Sequence, residues 1–116
     1  MNPKQGEIYL VDFEPSMGSE YQKMRPALII ENNFYIPKSN IITLLPITSQ
    51  IEKAMSLDVI IPKDVGNKLI KDSIIKIQYI STFDKIRLIK HIGICSSEIL
   101  TKVFTNLATY LKYSTI

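Results

Sequence analysis

The apolar residues of this chain change their spacing once, and that change limits the folds the chain can adopt. Up to about residue 94 they occur in short β-type runs bounded by Gly, Pro, Asn and Ser. After Ser96 they recur every three or four positions, as they do on one side of a helix. The members of this stripe are Ile99, Leu100, Val103, Phe104, Leu107, Ala108 and Leu111. The sequence predicts several short strands followed by one C-terminal helix, with Ser96 as its N-cap.

The β-type runs are short and lie close together along the chain. Pro46, inside the third run, has no N–H to donate and predicts an edge strand or a bulge, and Gly93 predicts a bulge in the last run. Together the runs predict a mainly β fold with a C-terminal helix, built as a small, strongly bent antiparallel sheet or partial barrel that the helix closes. The predicted strands are residues 7–13, 27–31, 40–48, 56–61, 74–80 and 88–94, with a turn or bent strand at 81–85.

The length and composition fit one small domain, residues 1–116, with 46% hydrophobic residues. No apolar run approaches the roughly 20 residues of a membrane span, and the first residues lack the apolar stretch of a signal peptide. The single cysteine, Cys95, excludes motifs that need a cysteine pair and agrees with a reducing compartment. We therefore expect a cytoplasmic protein without a membrane segment.

A polar loop ends at Arg25-Pro26, directly before an apolar β-type run. Proline pushes the residue before it toward extended backbone, so Arg25 should lie where a strand begins, at the rim of a sheet. A guanidinium there offers five donors in a rigid fork that suits phosphate, although a surface salt bridge is the ordinary role of an isolated arginine. The net charge of +3 is mild, and the short basic clusters near residues 23–25 and 85–90 suit either a nucleic-acid groove or a solvated face.

Several motifs recur in a fixed order along nearly the whole chain. They are GEIYLVD at residues 6–12, GSE at 18–20, RPALII at 25–30, PITS at 46–49, DS at 72–73 and DKIRL at 84–88. In order and spacing, this pattern resembles the MazF/PemK family of toxin endoribonucleases from about residue 6 to residue 112. The resemblance implies an SH3-like partial barrel of the CcdB/PemK/MazF type. It also implies a homodimer, cleavage of single-stranded RNA at short motifs without metal or another cofactor, and an antitoxin partner whose flexible segment occupies the RNA groove.

The resemblance also implies which residues act. Arg25 and Thr48 match the catalytic pair of the family. The family often has Ile-Arg-Thr where this chain has Ile80-Ser81-Thr82, so one basic contact to RNA is either missing or supplied by Lys76 or Lys85. The residues that the resemblance places along the RNA are Ser19, Glu20, Tyr21, Lys23, Ser49, Gln78, Thr82 and Lys85.

The residue types suit a ribonuclease that uses the nucleophile of its substrate. The RNA 2′-hydroxyl needs only alignment with the adjacent phosphorus, stabilisation of the added charge and two proton transfers. One histidine and one cysteine cannot build a His/Cys zinc cluster or a two-histidine acid/base pair. We expect Arg25 to stabilise the transition state, since a guanidinium stays protonated at any ordinary pH and suits a general base poorly. We expect Thr48 to donate to a phosphate oxygen. The resemblance predicts a 2′,3′-cyclic phosphate and a 5′-hydroxyl as product ends.

Each of these residues also has a structural interpretation. Thr48 could cap a turn at a strand end, and His91, without a second histidine, is better explained as a structural residue. Asp12, Glu14 and Glu20 could suggest a metal-dependent nuclease, but loop carboxylates near lysines usually form solvated pairs. Two further functions stay open at this point: a gyrase poison on the same fold that cleaves nothing, and an RNA-binding module without catalysis.

Overall fold

The computed structural model describes residues 1–14 and 24–115. Within them, seven strands and one α-helix follow one another in the order that the apolar spacing predicts. The helix, α1, spans Ser97–Tyr110. The strands are β1 (Glu7–Asp12), β2 (Met24–Ile29), β3 (Ile41–Thr48), β4 (Val59–Ile61), β5 (Ser73–Ile75), β6 (Ser81–Asp84) and β7 (Leu88–Ile94).

All strand pairs are antiparallel, and the strands follow the spatial order β4-β5-β3-β2-β1-β7, with β6 paired to β3. Neither β4 nor β7 has a second neighbour among the described residues, so the sheet is open at both sides rather than closed into a barrel. The predicted mainly β fold with a C-terminal helix is confirmed.

The central strand β3 has neighbours on both sides, so the prediction of an edge strand at Pro46 is wrong. On one side β3 pairs with β2. On the other, residues 41–44 pair with β6 and residues 47–48 pair with β5. Pro46 lies where the second neighbour changes, and its missing N–H is tolerated there because β6 and β5 leave that position between them.

The sheet separates two apolar clusters. The cluster under α1 contains Ile8, Leu28, Leu45 and Ile47 from the sheet, together with Val103 and Leu107 from the helix. The opposite cluster contains Tyr9, Val11, Phe13, Ala27, Ile29 and Leu44, with Phe83 packed against it. Alternate residues of β1, β2 and β3 enter opposite clusters, as the two-residue period of a strand requires.

The helix begins as predicted, because the Ser96 side chain accepts a hydrogen bond from the Ile99 backbone N–H at 3.2 Å. Only part of its apolar stripe is covered. Val103 and Leu107 are buried, whereas Phe104 is 38% and Leu111 is 61% exposed. No helix in the described part of the chain combines the length and the apolar character needed to cross a membrane.

Two local predictions differ from the structure. The strand predicted at residues 74–80 ends at Ile75, and a 3₁₀ turn, Ile77–Tyr79, follows it. The backbone turns because the Ile77 N–H donates to the Asp58 side chain at 3.3 Å instead of to a neighbouring strand. β7 has two irregularities rather than the single one predicted at Gly93. The pairing of Ile8 with Gly93 and of Tyr9 with His91 leaves residue 92 unmatched, beside the predicted position. The pairing of Leu10 with Lys90 and of Val11 with Leu88 leaves residue 89 unmatched.

Candidate active site

The pairing of β2 with β3 brings Arg25 and Thr48 together. The register places Ala27 opposite Pro46 and Ile29 opposite Leu44. Continued by two residues, the same register places Arg25 opposite Thr48, and both side chains then point to the same face. The Arg25 Nη1 donates to the Thr48 Oγ1 at 3.4 Å. Two residues that are 23 positions apart in the sequence thus form one polar site at the end of two paired strands.

The Thr48 hydroxyl is held in a defined orientation. It is the last residue of β3 and only 5% exposed. Besides the Arg25 guanidinium, the backbone N–H of Gln50 donates to Thr48 Oγ1 at 3.2 Å. A hydroxyl oxygen accepts through two lone pairs and donates one hydrogen. With donors approaching both lone pairs, the hydroxyl hydrogen is directed toward a third group.

A cleft of about 610 Å³ opens beside Arg25 and carries positive charge. Lys68, Lys71 and Lys90 line it together with Arg25. Its other lining residues are Leu10, Pro26, Ile47, Ser49, Leu69, Ile70, Ser73, His91 and Ile92. Several cations around one cleft raise the local concentration of an anionic ligand such as a phosphodiester.

Lys68 and Lys71 are cationic residues that the sequence analysis did not assign to the site. They belong to the connection between β4 and β5. The pairing of β5 with β3 brings this connection toward Arg25, and the Ile94 N–H of β7 donates to its Gly66 carbonyl at 3.0 Å. Lys68 has a positive φ of 55°, a rare backbone conformation for a residue with a Cβ. No motif in the connection signals its position, although Lys68 and Lys71, shortly before a predicted strand, are the feature that could have suggested it.

One predicted RNA-binding residue, Ser49, lies beside the Arg25–Thr48 pair. It is exposed, directly follows Thr48 and lines the cleft. Four others belong to the segment that precedes β2 in the sequence. Its residues Ser19, Glu20, Tyr21 and Lys23 lie outside the described part of the chain.

Thr82 and Lys85 lie elsewhere. Thr82 pairs with Thr43, five positions before Thr48 on β3, which corresponds to roughly 16 Å along a strand. The two threonine hydroxyl oxygens are 3.1 Å apart. Lys85 lies beyond the start of β3, where its Nζ donates to the carbonyl oxygens of Ile36 and Ser39. The structure does not bring these two residues to the Arg25–Thr48 pair.

Lys76 directly follows β5, and Gln78 lies on the 3₁₀ turn Ile77–Tyr79 that comes next. Gln78 lies on the 3₁₀ turn and is half-buried, not on a strand as predicted. Lys76 is 3% exposed, and its Nζ lies 2.6 Å from Asp58 Oδ2. The suggestion that Lys76 supplies a basic contact to RNA is therefore wrong, because its ammonium is enclosed by protein.

The remaining titratable groups near the cleft have structural partners. His91 Nε2 lies 3.3 Å from Glu7 Oε2, and its ring contacts Tyr9 edge to face. Burial, and then the Glu7 carboxylate, raise the pKa of Tyr9. Burial raises the pKa of the Cys95 thiol to about 11, with a smaller contribution from Asp64. Cys95 is therefore a neutral thiol at ordinary pH, which makes it a poor nucleophile.

Of the carboxylates considered for a metal site, Asp12 and Glu14 belong to the described part of the chain and Glu20 does not. Asp12 Oδ1 accepts from the backbone N–H of Glu14 at 2.9 Å, so it closes a local turn. Within residues 1–14 and 24–115, no three His, Cys, Asp or Glu side chains are grouped so that they could hold a metal ion. The described part of the site therefore presents a guanidinium, a hydroxyl and lysine ammonium groups.

The chain is similar to known proteins in sequence and in fold. Residues 4–111 match the model of the PemK-like, MazF-like toxins of type II toxin–antitoxin systems. The chain is 36% identical over 85 residues to the endoribonuclease MazF of Staphylococcus saprophyticus. The aligned region covers 73% of this chain and 71% of that protein.

Solved structures show the same fold at lower identity. MazF from Deinococcus radiodurans superposes with a TM-score of 0.81 at 21% identity, covering 97% of this chain and 99% of that one. A mycobacterial endoribonuclease in complex with its cognate antitoxin superposes with a TM-score of 0.70 at 20% identity, covering 99% and 98%. Together with the matches in sequence, these likenesses establish that the chain belongs to the PemK-like, MazF-like family of toxins of type II toxin–antitoxin systems.

Proposed function

We propose that this chain is the toxin of a toxin–antitoxin pair and acts as an endoribonuclease that cleaves single-stranded RNA at a short sequence without a metal ion. The observation that carries the proposal is the 3.4 Å contact between Arg25 Nη1 and Thr48 Oγ1 beside a cleft lined by lysines. Family membership and the endoribonuclease MazF relative support the reaction class.

The reaction that fits these groups is an internal displacement. The 2′-hydroxyl oxygen of one nucleotide attacks the adjacent phosphorus, and the bond from phosphorus to the 5′-oxygen of the next nucleotide breaks. The 2′-hydroxyl loses its proton, and the leaving 5′-oxygen gains one. The products end in a 2′,3′-cyclic phosphate and a 5′-hydroxyl, and no water is consumed.

The two side chains have different roles in this displacement. Extra negative charge develops on the non-bridging phosphate oxygens in the transition state, and Arg25 places a permanent positive charge beside them. Thr48, whose oxygen already accepts from Arg25 and Gln50, directs its hydrogen toward one of those oxygens. Because the pKa of arginine exceeds about 12, we assign proton transfer to solvent or to the substrate rather than to Arg25.

The RNA backbone would follow the positive side of the cleft. Lys68, Lys71 and Lys90 line the cleft with Arg25, so they can contact successive phosphates on either side of the scissile bond. Ser49, adjacent to Thr48, would contact the same strand. The assignments of Ser19, Glu20, Tyr21, Lys23, Gln78, Thr82 and Lys85 to RNA binding remain predictions.

The function is tested with the purified full chain and single-stranded RNA oligonucleotides in excess EDTA. We expect cleavage at discrete positions, product ends that carry a 2′,3′-cyclic phosphate, and no cleavage where the scissile nucleotide is 2′-deoxy. RNA that is bound but stays intact would indicate a binding module instead. Intact RNA together with inhibited DNA supercoiling would indicate a gyrase poison.

The proposal extends to partners. One of the solved relatives is an endoribonuclease in complex with its cognate antitoxin, and we propose that this chain likewise binds an antitoxin. We also propose that the chain is a homodimer. Sedimentation equilibrium should give about twice the 13.3 kDa chain mass at micromolar concentration. A species at the single-chain mass would contradict the homodimer.

A further inference from the structure

We propose that Lys76 and Asp58 form a buried clamp that positions Thr48 for the reaction. This inference rests on the proposed ribonuclease function and adds two residues to it. Neither residue lines the cleft, so both would act through the hydroxyl of Thr48 and neither would touch the RNA.

The pair is enclosed and fully engaged. The relative exposures of the Lys76 and Asp58 side chains are 3% and 1%, and their charged atoms are 2.6 Å apart. The Lys76 Nζ also donates to the Lys53 carbonyl oxygen at 3.1 Å and lies 5.5 Å from the centre of the Tyr79 ring. Asp58 Oδ2 accepts in addition from the Met55 N–H at 2.8 Å.

Lys76 is bonded to the chain on both sides of Thr48. Its backbone N–H donates to the Pro46 carbonyl at 2.9 Å, two residues before Thr48. Its side chain contacts Lys53 and Asp58, in the loop that follows Thr48. One residue therefore fixes both the end of β3 and the loop that leaves it.

That loop determines the orientation of the catalytic hydroxyl. The Gln50 N–H that donates to Thr48 Oγ1 lies at its start, directly before the 3₁₀ turn Ile51–Lys53. The carbonyl oxygen of Lys53, which ends this turn, accepts from Lys76. If the clamp is removed, the turn is held less firmly and the Gln50 N–H can move away from the hydroxyl. Displacement of a reacting group by about 1 Å can lower a rate by about 100-fold.

Asp58 joins a second element to the same clamp. Its Oδ1 accepts from the Ile77 N–H at 3.3 Å, which starts the turn that carries Gln78. The loop after Thr48 and the turn with Gln78 are therefore held by one carboxylate.

Stability alone does not explain a charged pair at this place. Burial of both charges carries a desolvation cost that apolar residues of the same size would avoid, so such pairs often add nothing to the stability of a protein. A charged pair does fix the positions of the segments around it, because a buried ammonium has three donors and needs acceptors on several sides. Two of the groups around this ammonium, Lys53 O and Asp58 Oδ2, come from the loop after Thr48, and the third, the Tyr79 ring, comes from the turn Ile77–Tyr79.

The test uses a double variant of the full chain, K76M/D58N. Lys76→Met alone would leave a buried carboxylate without its cation, and the chain could fail to fold. Adding Asp58→Asn removes the second charge as well, while an amide oxygen at position 58 can still accept from the backbone. We expect kcat to fall at least tenfold with KM within twofold of the parent, and the Gln50 amide to exchange with solvent at least tenfold faster.

A matched control separates positioning from general destabilisation. Val103→Ala removes buried side-chain volume on α1 from the apolar cluster that also holds Ile77 and Leu57. It replaces none of the groups that bond Lys76, Asp58 or Thr48, so it should lower the melting temperature while leaving kcat within twofold. An unchanged kcat in K76M/D58N overturns the clamp, and so does an equal loss of kcat in Val103→Ala at a comparable melting temperature.

The exchange measurement keeps the two proposals distinguishable. If the parent chain does not cleave RNA, the proposed function fails and the Gln50 amide alone decides the clamp. Faster exchange in K76M/D58N than in Val103→Ala then supports the clamp, and equal exchange in the two variants overturns it.

Discussion

The two ends of β3 each carry a threonine near a cation, yet the two ends differ in chemistry. At the C-terminal end, Thr48 is 5% exposed and accepts from the Arg25 guanidinium. At the N-terminal half, the Thr43 hydroxyl faces another hydroxyl, that of Thr82, at 3.1 Å. The cation beyond it, Lys85, donates to backbone carbonyls.

The difference shows what turns a threonine and a cation into a site. The Lys85 ammonium stabilises the segment that contains the 3₁₀ turn Ile36–Lys38, since it donates to carbonyls of Ile36 and Ser39. Arg25 instead contacts a side-chain hydroxyl at the edge of a cleft that other cations line. Each end has a threonine and a basic residue. The groups that these residues contact decide which end can bind a phosphodiester.

The largest effect is expected from Arg25. Arg25→Ala should lower kcat/KM for RNA cleavage by about 100- to 1,000-fold, the usual cost of removing one donor that stabilises transition-state charge. Arg25→Lys keeps the charge but loses the planar fork, so it should recover only part of the rate. Initial rates on a defined oligonucleotide measure both. If Arg25→Ala kept the activity of the parent, the C-terminal end of β3 would not be the catalytic end, and the proposed difference between the two ends would be wrong.

Thr48 and Thr43 provide a matched pair on one strand. Thr48→Val preserves shape and removes the hydroxyl, so kcat should fall by about 10- to 100-fold because one transition-state hydrogen bond is lost. The same change at Thr43 should leave kcat within about twofold, since that hydroxyl contacts only Thr82 among the described residues. Single-turnover cleavage measures both variants, and equal losses would show that the position along β3 does not matter.

Lys85 should affect stability more than rate. Lys85→Met removes donors from two carbonyl oxygens and should lower the free energy of unfolding by about 1 to 2 kcal/mol. Urea denaturation measures that loss. The salt dependence of RNA binding then tests the separate prediction that Lys85 contacts RNA, because loss of one phosphate contact lowers the slope by about 0.7 for a single strand.

The smallest effect is expected from the hydroxyl pair at the N-terminal half of β3. A double-mutant cycle with Thr43→Val and Thr82→Val should give a coupling of about 0.5 to 1 kcal/mol, as for other cross-strand pairs. Equilibrium unfolding measures the coupling. A value well above that range would indicate that this end is a polar site in its own right.

Much of the fold could be predicted because its signals are local. Short apolar and β-branched runs between turn residues mark β1, β3 and β7, and the Ser96 cap with the following stripe marks α1. The prediction fails where a contact distant in sequence overrides the local pattern. Residues 76–80 continue the β-type pattern, but the buried Asp58 carboxylate draws the backbone into a turn.

The candidate site was predictable only in part. Arg25 and Thr48 could be named from motifs, whereas the contact between them depends on the register of β2 against β3. Lys68 and Lys71 were missed because contacts distant in sequence, with β3 through β5 and with β7, bring their connection to the cleft. Lys76 was wrongly predicted to be an RNA contact. Nothing in the sequence around it indicates that it is buried in an ion pair with Asp58, 18 positions away.

The sequence by itself determined the strands, the capped helix and the residue types that could meet a phosphodiester. The tertiary structure alone decided which of them meet: Thr48 faces a guanidinium, Thr43 a hydroxyl, and Lys76 a buried carboxylate. The physical reason is one of range. Backbone preference and apolar period act over a few residues, whereas register and burial are set by the packing of segments that are distant in the chain.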